Sequence, residues 1–315
     1  MWSAAPGRQN LLGVVRSYMR NAEAEGPAKR GACAENPWCA AARGGLEVCT
    51  SDTAMTRRLF LPLIPAVFLA ACEKKSGLKP LIVGMDISYP PFEFPNEQGE
   101  PDGVDVRIAE ALAKYLGREL KIVSYGFDGL LMAVPSGEVD LAISAMTATD
   151  ERRKSFDFSD PYAFTAIAML VPKDSSIQSA ADLKRPGLRV TAKLATTGES
   201  YAREQLPDAK IDARDDEGIC VKEVANGGAD VFIYDQLSIF RHWEENKDKT
   251  RAILQPIREE AWAIGIRKGN DELRLKVNAF LKEFRESGGL AKLGEQYLAK
   301  EKKVLQEMGI PFILR

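Results

Sequence analysis

From residue 81 the apolar and polar positions fall into a regular pattern. "LIVGMD" (81–86) is an apolar run closed by an acid and predicts a buried strand. "GVDVRIAEALAKYLG" (103–117) puts Ile108, Leu112, Tyr115 and Leu116 on one helical face and stops at Gly117. "ELKIVSY" (119–125) predicts a second strand, Asp128 to Ser136 a short helix, and "VDLAISA" (139–145) a third strand. Strand, helix, strand, helix, strand is the order of a parallel sheet made by right-handed crossovers. The order then returns, with "LRVTA" (188–192), a helix from Glu199 to Gln205, a strand from Lys210 to Ala213, a helix from Glu217 to Asn226, and "ADVFIYD" (229–235).

"GEVDLAI" at 137–143 is nearly repeated by "GGADVFI" at 227–233, at the same place in each unit. Glycine ends helices and aspartate suits turns, so one copy alone would say little. Together they predict an α/β protein of two like lobes. "RAILQPI" (251–257) and "AWAIGIRKG" (261–269) follow, then an amphipathic helix from Glu272 to Glu286 and a last helix from Leu290 to about Glu307. The terminal helices can cover the first lobe's sheet. Residues 79–163 with 263–310 are then expected to form lobe 1 and residues 164–262 lobe 2, with a two-strand hinge near 163–168 and 259–263. Ligands of open α/β sheets bind beyond the carboxyl ends of the strands. That rule selects Asp86 to Phe92, Tyr125 to Asp128, Ser144 to Arg152, Ala195 to Gly198, Tyr234 and Asp235.

The chain before residue 78 has a different character. "MTRRLFLPLIPAVFLAACEKK" starts at Met55 with Arg57 and Arg58, runs apolar from Leu59 to Ala71 and ends at Cys72. A charged start and a short apolar run make a secretory signal, too short for the roughly 20 residues of a spanning helix. "LAAC" resembles the lipobox of bacterial lipoproteins. That resemblance implies a signal peptide over 55–71, a lipid on Cys72 and a tether over 72–78. Residues 1–54, rich in Ala, Gly and Arg, then have no place in the secreted product, and Met55 is the expected start. Cys33, Cys39 and Cys49 lack CxxC spacing, so a zinc site there is the weaker alternative. Downstream of Cys72 the single Cys220 cannot form an internal disulfide.

With 43 basic and 45 acidic residues the formal net charge is -2, which offers no basic face for nucleic acid. The catalytic loop and elbow motifs GxSxG, HExxH, GxxxxGK[ST] and GxGxxG after the first strand are missing. No cofactor or metal is implied. What the strand ends do contain is fixed charge of both signs. Arg152 offers a planar fork for a carboxylate, and Asp235 an acceptor for an ammonium. Thr147, Thr149, Thr196 and Thr197 add hydroxyls, Gly198 opens a helix whose N–H groups favour an anion, and Tyr89 and Phe127 add aromatic faces. This inventory fits a small zwitterion, an α-amino acid. Plainer readings stand beside it: "TATDERR" can simply start a helix capped by Thr147 or Thr149, Phe92 reads as core, and Asp235 can cap the helix after it.

"YPPFEF", "GVDVRIAEALAKYLG", "GEVDLAISAMTATDERRKSFDFSDPY" and "GIRKGNDEL", in that order, resemble family 3 of the bacterial extracellular solute-binding proteins, over about residues 80–300. The resemblance implies the two-lobed type II periplasmic-binding fold. It further implies a role as the amino-acid-capturing subunit of an ABC importer, anchored by its lipid at the cell surface or in the periplasm. Such a protein is expected to be a monomer that meets a membrane permease and is not an enzyme. By motif position, Arg152 would clamp the ligand's carboxylate, with Thr147 and Thr197 beside it. Ser144 and Asp235 would face the ammonium, Tyr89 and Phe127 would stack on the side chain, and Asp86 would face a distal cation. "ATTG" has Ala195 where the family has glycine, which puts the local backbone in question. Asp86 favours Lys, Arg, ornithine or His, its alternative being to cap the loop before Tyr89. A dehydratase on the same fold, with Glu199 as its acid, and a sensor module are the rival functions.

Overall fold

The computed structural model describes residues 78–314. The expected signal peptide, Cys72 and the upstream extension lie outside the described residues. The chain enters at β1 (Leu81–Met85) and makes a small hairpin of β2 (Phe94–Pro95) and β3 (Pro101–Asp102). It continues through α1 (Val104–Tyr115), β4 (Leu120–Ser124), α2 (Phe127–Ser136), β5 (Leu141–Ala142), α3 (Asp150–Arg153) and β6 (Phe156–Phe158). Next come β7 (Ala163–Pro172), β8 (Arg189–Lys193), α4 (Thr197–Gln205), β9 (Lys210–Arg214), α5 (Glu217–Ala225), β10 (Val231–Asp235) and α6 (Gln236–Glu245). The chain closes with β11 (Thr250–Trp262), β12 (Gly265–Arg267), α7 (Asp271–Glu286), α8 (Gly289–Tyr297) and α9 (Ala299–Glu307).

These strands make two five-stranded sheets, in the orders β4-β1-β5-β12-β6 and β11-β7-β10-β8-β9. In each, the strands joined by helices pair in parallel, β1 with β4 and β5, and β8 with β9 and β10. Antiparallel strands complete each sheet, so both are mixed. The expected two-lobed α/β fold is what forms. Its lobes are joined by β7 and β11, paired antiparallel from Ala163 opposite Trp262 to Ile167 opposite Arg258.

Helix periodicity explains the layers. On α7, Leu273, Val277, Phe280 and Leu281 recur at helical spacing and are buried with Leu81 and Val83 of β1 and Leu112 of α1. Burying each such side chain contributes roughly 1.5–3 kcal/mol. The other face of the first sheet packs on Leu130, Ala133 and Val134 of α2. In the second sheet, Val190 and Ile233 pack on Ala202 of α4, while Phe232 packs with Val221 of α5 and Phe240 of α6.

Several expected elements have different bounds, each for a local reason. The third strand is expected over 139–145 but is only Leu141–Ala142, because Ala145 has φ 45° and turns the chain out of extended geometry. The two segments 251–257 and 261–269 are expected apart, yet the first continues into β11 as 13 residues. Its register shift between Ile253 and Arg258 accommodates Pro256, as bulges do. The last helix is two, broken at Leu298, whose side chain is fully buried. Beyond Gly309 the tail turns back, and the Phe164 amide at the start of β7 donates to the Ile313 carbonyl at 2.9 Å.

Candidate functional site

A cleft of about 430 Å³, counting its open mouth, lies at the carboxyl ends of the strands. Its walls include Asp86, Tyr89, Phe127, Ser144, Thr147, Arg152, Thr197 and Asp235, so every ligand contact expected from the sequence lies on one surface. It also includes Glu93, Lys193, Glu260 and Trp262, which the strand-end rule does not select.

Arg152 is placed by the bend after β5. Thr149 caps α3, its Oγ1 accepting from the Arg152 amide at 3.2 Å. The helix-start reading of this stretch is therefore also true. The Arg152 guanidinium donates to the carbonyl oxygens of Thr147 and Ala195, both at 2.9 Å, the second from the opposite lobe. It lies 5.1 Å from the centroid of the Phe127 ring. Burial lowers its pKa to about 10, so it stays charged at neutral pH.

Across the cleft, α4 begins at Thr197 with no side-chain cap, which leaves its first N–H groups to other acceptors. Gly198 is required there, since a Cβ would come 2.2 Å from the Ile233 carbonyl oxygen of β10. Ala195 just before it has φ 61°, so the position where glycine was expected does take the left-handed conformation. Thr147 and Thr197 both donate to Oε2 of Glu260 at 2.8 Å, and Arg258 holds the other oxygen at 3.0 Å. Glu260, on the β11 linking strand, thus puts a carboxylate on two hydroxyls assigned to the ligand.

Asp235 ends β10 and caps α6, with Oδ1 accepting from the amides of Leu237 and Ser238 at 3.0 Å. Its Oδ2 is buried without a hydrogen-bond partner of good geometry. Burial is the main cause that raises its pKa to about 6. Tyr89 stacks on Phe92 at 5.6 Å and meets Tyr234 and Trp262 edge-on, so it belongs to an aromatic cluster.

A second hydrogen-bonded group surrounds Asp86. Its Oδ2 is 2.7 Å from Nζ of Lys193, which crosses from β8, and both residues are buried. Asp86 therefore already has a cation on it. Ser144 uses its hydroxyl to accept from the Asp86 amide at 3.0 Å and to donate to Glu93 Oε1 at 2.7 Å. Burial, then the neighbouring Asp105, hold Glu93 well above the ordinary carboxylate range. Behind it Asp105 accepts from the Ala145 amide and the Tyr162 hydroxyl, both at 2.8 Å. Glu199 lies outside the cleft walls, with Oε2 on the Ala195 amide at 2.6 Å and Oε1 on Arg203.

The model of the family "bacterial extracellular solute-binding proteins, family 3" matches residues 81–300. The chain belongs to this family. It is 37% identical over 233 residues to the arginine-binding extracellular protein ArtP of Bacillus subtilis (strain 168), covering 72% of this chain and 89% of that protein. It is 30% identical over 223 residues to the L-cystine-binding protein TcyJ of Escherichia coli (strain K12), covering 70% and 83%. Among solved structures, the ancestral amino acid-binding protein AncCDT-1, a precursor of cyclohexadienyl dehydratase, matches with TM-score 0.64 and 36% identity, over 69% of this chain and 95% of that one. A family 3 solute-binding protein is thus set in a two-lobed frame with its cleft at the linking strands.

Glu260 and Lys193 escape strand-end reasoning for opposite reasons. Lys193 is the last residue of β8, two positions before the loop taken as the site, and a lysine at that point reads as solvent-facing. Glu260 sits inside a linking strand, where alternation alone would not say that it faces the cleft.

Proposed function

We propose that this protein captures an α-amino acid between its lobes and hands it to an ABC permease, anchored to the membrane by a lipid on Cys72. The observation that carries the reading is a pair of opposite charges left without ionic partners in one cleft. Arg152 hydrogen-bonds only carbonyl oxygens and lies on the Phe127 ring, with Glu260 acting on it through space, and one carboxylate oxygen of Asp235 has no neighbour stronger than the Tyr89 hydroxyl. A zwitterion answers both at once. Its carboxylate goes to Arg152, with the backbone amides of Thr147 and of the first turn of α4, since the Thr147 and Thr197 hydroxyls already donate to Glu260; its ammonium goes to Asp235, with Ser144 nearby. Tyr89 and Phe127 flank the bound molecule.

Capture follows from closure. Ligand docks on one lobe, the other swings about β7 and β11, and water leaves a site in which each ligand charge meets a fixed counterpart. An ionic group buried without its counterpart costs on the order of 3–5 kcal/mol, so the closed form is favoured only when the cleft is filled correctly. The relatives are named for different amino acids, arginine and cystine, which supports the shared backbone recognition and leaves the side chain open. The "LAAC" ending at Cys72 supports the anchor. Glu199, the acid nominated for an elimination enzyme, is outside the cleft walls and has both oxygens occupied.

Titration calorimetry of the protein with the twenty amino acids tests this. Saturable binding of at least one, with one ligand per chain, is the expected outcome. Heat from none of them would end the reading, as would turnover of prephenate to phenylpyruvate.

A further inference from the structure

The last described residues do more than cover the first lobe. The family match ends at residue 300, and α9 with the tail to Leu314 lies almost wholly beyond it. This segment is fastened to the first lobe through α8. Leu298 and Leu305 are buried, Lys302 pairs with Glu295, and a Cβ on Gly294 of α8 would come 2.8 Å from the Phe312 ring. The same segment also reaches the second lobe. Lys300 is 3.0 Å from Glu244 of α6, and the buried Glu301 is 3.9 Å from Arg241 of the same helix. Leu305 and Ile313 share one apolar cluster with Leu237 and Phe240 of α6. Ile310 and Pro311 line a cavity with Thr165 and Ala166 of β7 and Gln236 of α6, and the Ile313 carbonyl accepts from the Phe164 amide.

We propose that residues 299–314 form a strap that ties the second lobe to the first beside the linking strands and biases the empty protein toward the closed arrangement. Two linking strands alone leave the lobes free to swing. A further tie shifts that equilibrium by as much as its contacts favour one arrangement over the other. Here the ties stand together with bonds that cross the cleft, from Arg152 to the Ala195 carbonyl at 2.9 Å and from Lys193 to Asp86 at 2.7 Å. They therefore belong to the closed form. The helix α6 is the lever between the two sets of contacts. Asp235 at the cleft is its N-cap, and its far end carries Arg241 and Glu244 against α9. A swing that draws Asp235 away from the first lobe must also carry Arg241 and Glu244 past Glu301 and Lys300. The two ion pairs differ in weight. Lys300 is mostly exposed and shares Glu244 with Lys247, whereas Glu301 and Arg241 are largely shielded from water. The inference goes beyond amino acid capture, because it concerns how far the lobes are closed before any ligand arrives.

Single-molecule energy transfer in the full chain without ligand tests the strap, with dyes attached through encoded unnatural residues at the exposed positions Met132 on α2 and Glu204 on α4. Both helices start at the cleft, from opposite lobes, so the dye separation follows opening. Lys300→Glu should lower the ratio of closed to open molecules by about threefold, the size expected of an exposed ion pair. The exchange Glu244→Lys/Lys300→Glu should restore it, which a merely structural role for Lys300 would not do. Deleting residues 309–315 removes the Phe164 bond and the buried Ile313 and Leu314, and should lower the ratio further. The charge variants keep the test decisive if the shortened chain fails to fold. A ratio equal to wild type in Lys300→Glu, or one that the exchange leaves unrestored, overturns the strap. Neither result depends on a ligand, so a failure of amino acid capture in calorimetry remains a separate outcome.

Discussion

Arg152 and Lys193 are both cations drawn into the same cleft, yet their surroundings differ in kind. The Arg152 guanidinium faces two carbonyl oxygens and an aromatic ring, each only partly negative. The Lys193 ammonium faces a full carboxylate. The first arrangement holds the side chain in place without cancelling its charge, so it stays ready for an incoming anion. The second cancels its charge and becomes a wall. The lesson is that charge in a pocket shows binding only where the protein leaves it uncompensated.

The largest expected effect comes from breaking the uncompensated side. Arg152→Ala removes the cation proposed to hold the ligand's carboxylate and should weaken amino acid binding by about 3 kcal/mol or more, over a hundredfold. Thermal unfolding should change far less than affinity, since the lost bonds go to two loop carbonyls. Affinity within threefold of wild type in calorimetry would show that the carboxylate binds elsewhere.

Asp235→Asn sharpens the same comparison from the other charge. Asparagine also caps helices, so α6 keeps its start while the ammonium loses its counter-charge, and affinity should fall by roughly 2–3 kcal/mol. The empty protein should respond in the opposite sense. Asp235 has its pKa raised from 3.8 to about 6 when folded. The folded state then holds a proton that the unfolded state has released, so this group lowers stability as pH rises from about 4 to 6. The loss is on the order of 3 kcal/mol and persists above pH 6. Asp235→Asn should therefore be more stable than wild type at pH 7, with the gain vanishing near pH 4. Wild-type affinity should also fall as pH drops below about 6, where Asp235 gains its proton. Equal stability of variant and wild type at every pH from 4 to 7 would mean that Asp235 is not strained by burial.

Much of this is legible in the sequence. The βαβ order, the switch between strand and helix periods, and the near-repeat at 137–143 and 227–233 specify two like lobes, because each depends on local patterning. Strand-end placement then finds Thr147, Arg152, Thr197 and Asp235, because in a parallel sheet the ends of neighbouring strands are brought to one edge whatever the details. What periodicity cannot carry is pairing between residues far apart in sequence. Asp86 and Lys193 are 107 positions apart, and nothing in either segment says that one will neutralise the other. Asp86 thus reads as an open site for a ligand cation until the fold brings Lys193 to it. Glu260 is hidden in the same way, by a linking strand whose bulge moves its register.

The smallest effect tests backbone and not charge, and again one lobe can be set against the other. Each lobe has one alanine in the left-handed region beside the cleft, Ala145 with φ 45° and Ala195 with φ 61°. A left-handed alanine costs roughly 1–2 kcal/mol, while glycine recovers part of that and loses some through its freer unfolded chain. Ala195→Gly should therefore raise the melting temperature by about 1–2 °C, the size expected for a gain near 0.5 kcal/mol in a domain of this length. Ala145→Gly should gain no more. Half-buried Ala145 is held by its amide bonds to the buried Asp105 at 2.8 Å and Tyr162 at 3.2 Å, and Ala195 by Glu199 on its amide and Arg152 on its carbonyl. Since Arg152 reaches Ala195 across the cleft, a more pliant residue there should loosen the closed form. Ala195→Gly is therefore expected to weaken amino acid binding slightly even as it stabilises the fold, and Ala145→Gly is not. Equal affinity changes in the two variants would show that the Ala195 carbonyl does not couple Arg152 to closure.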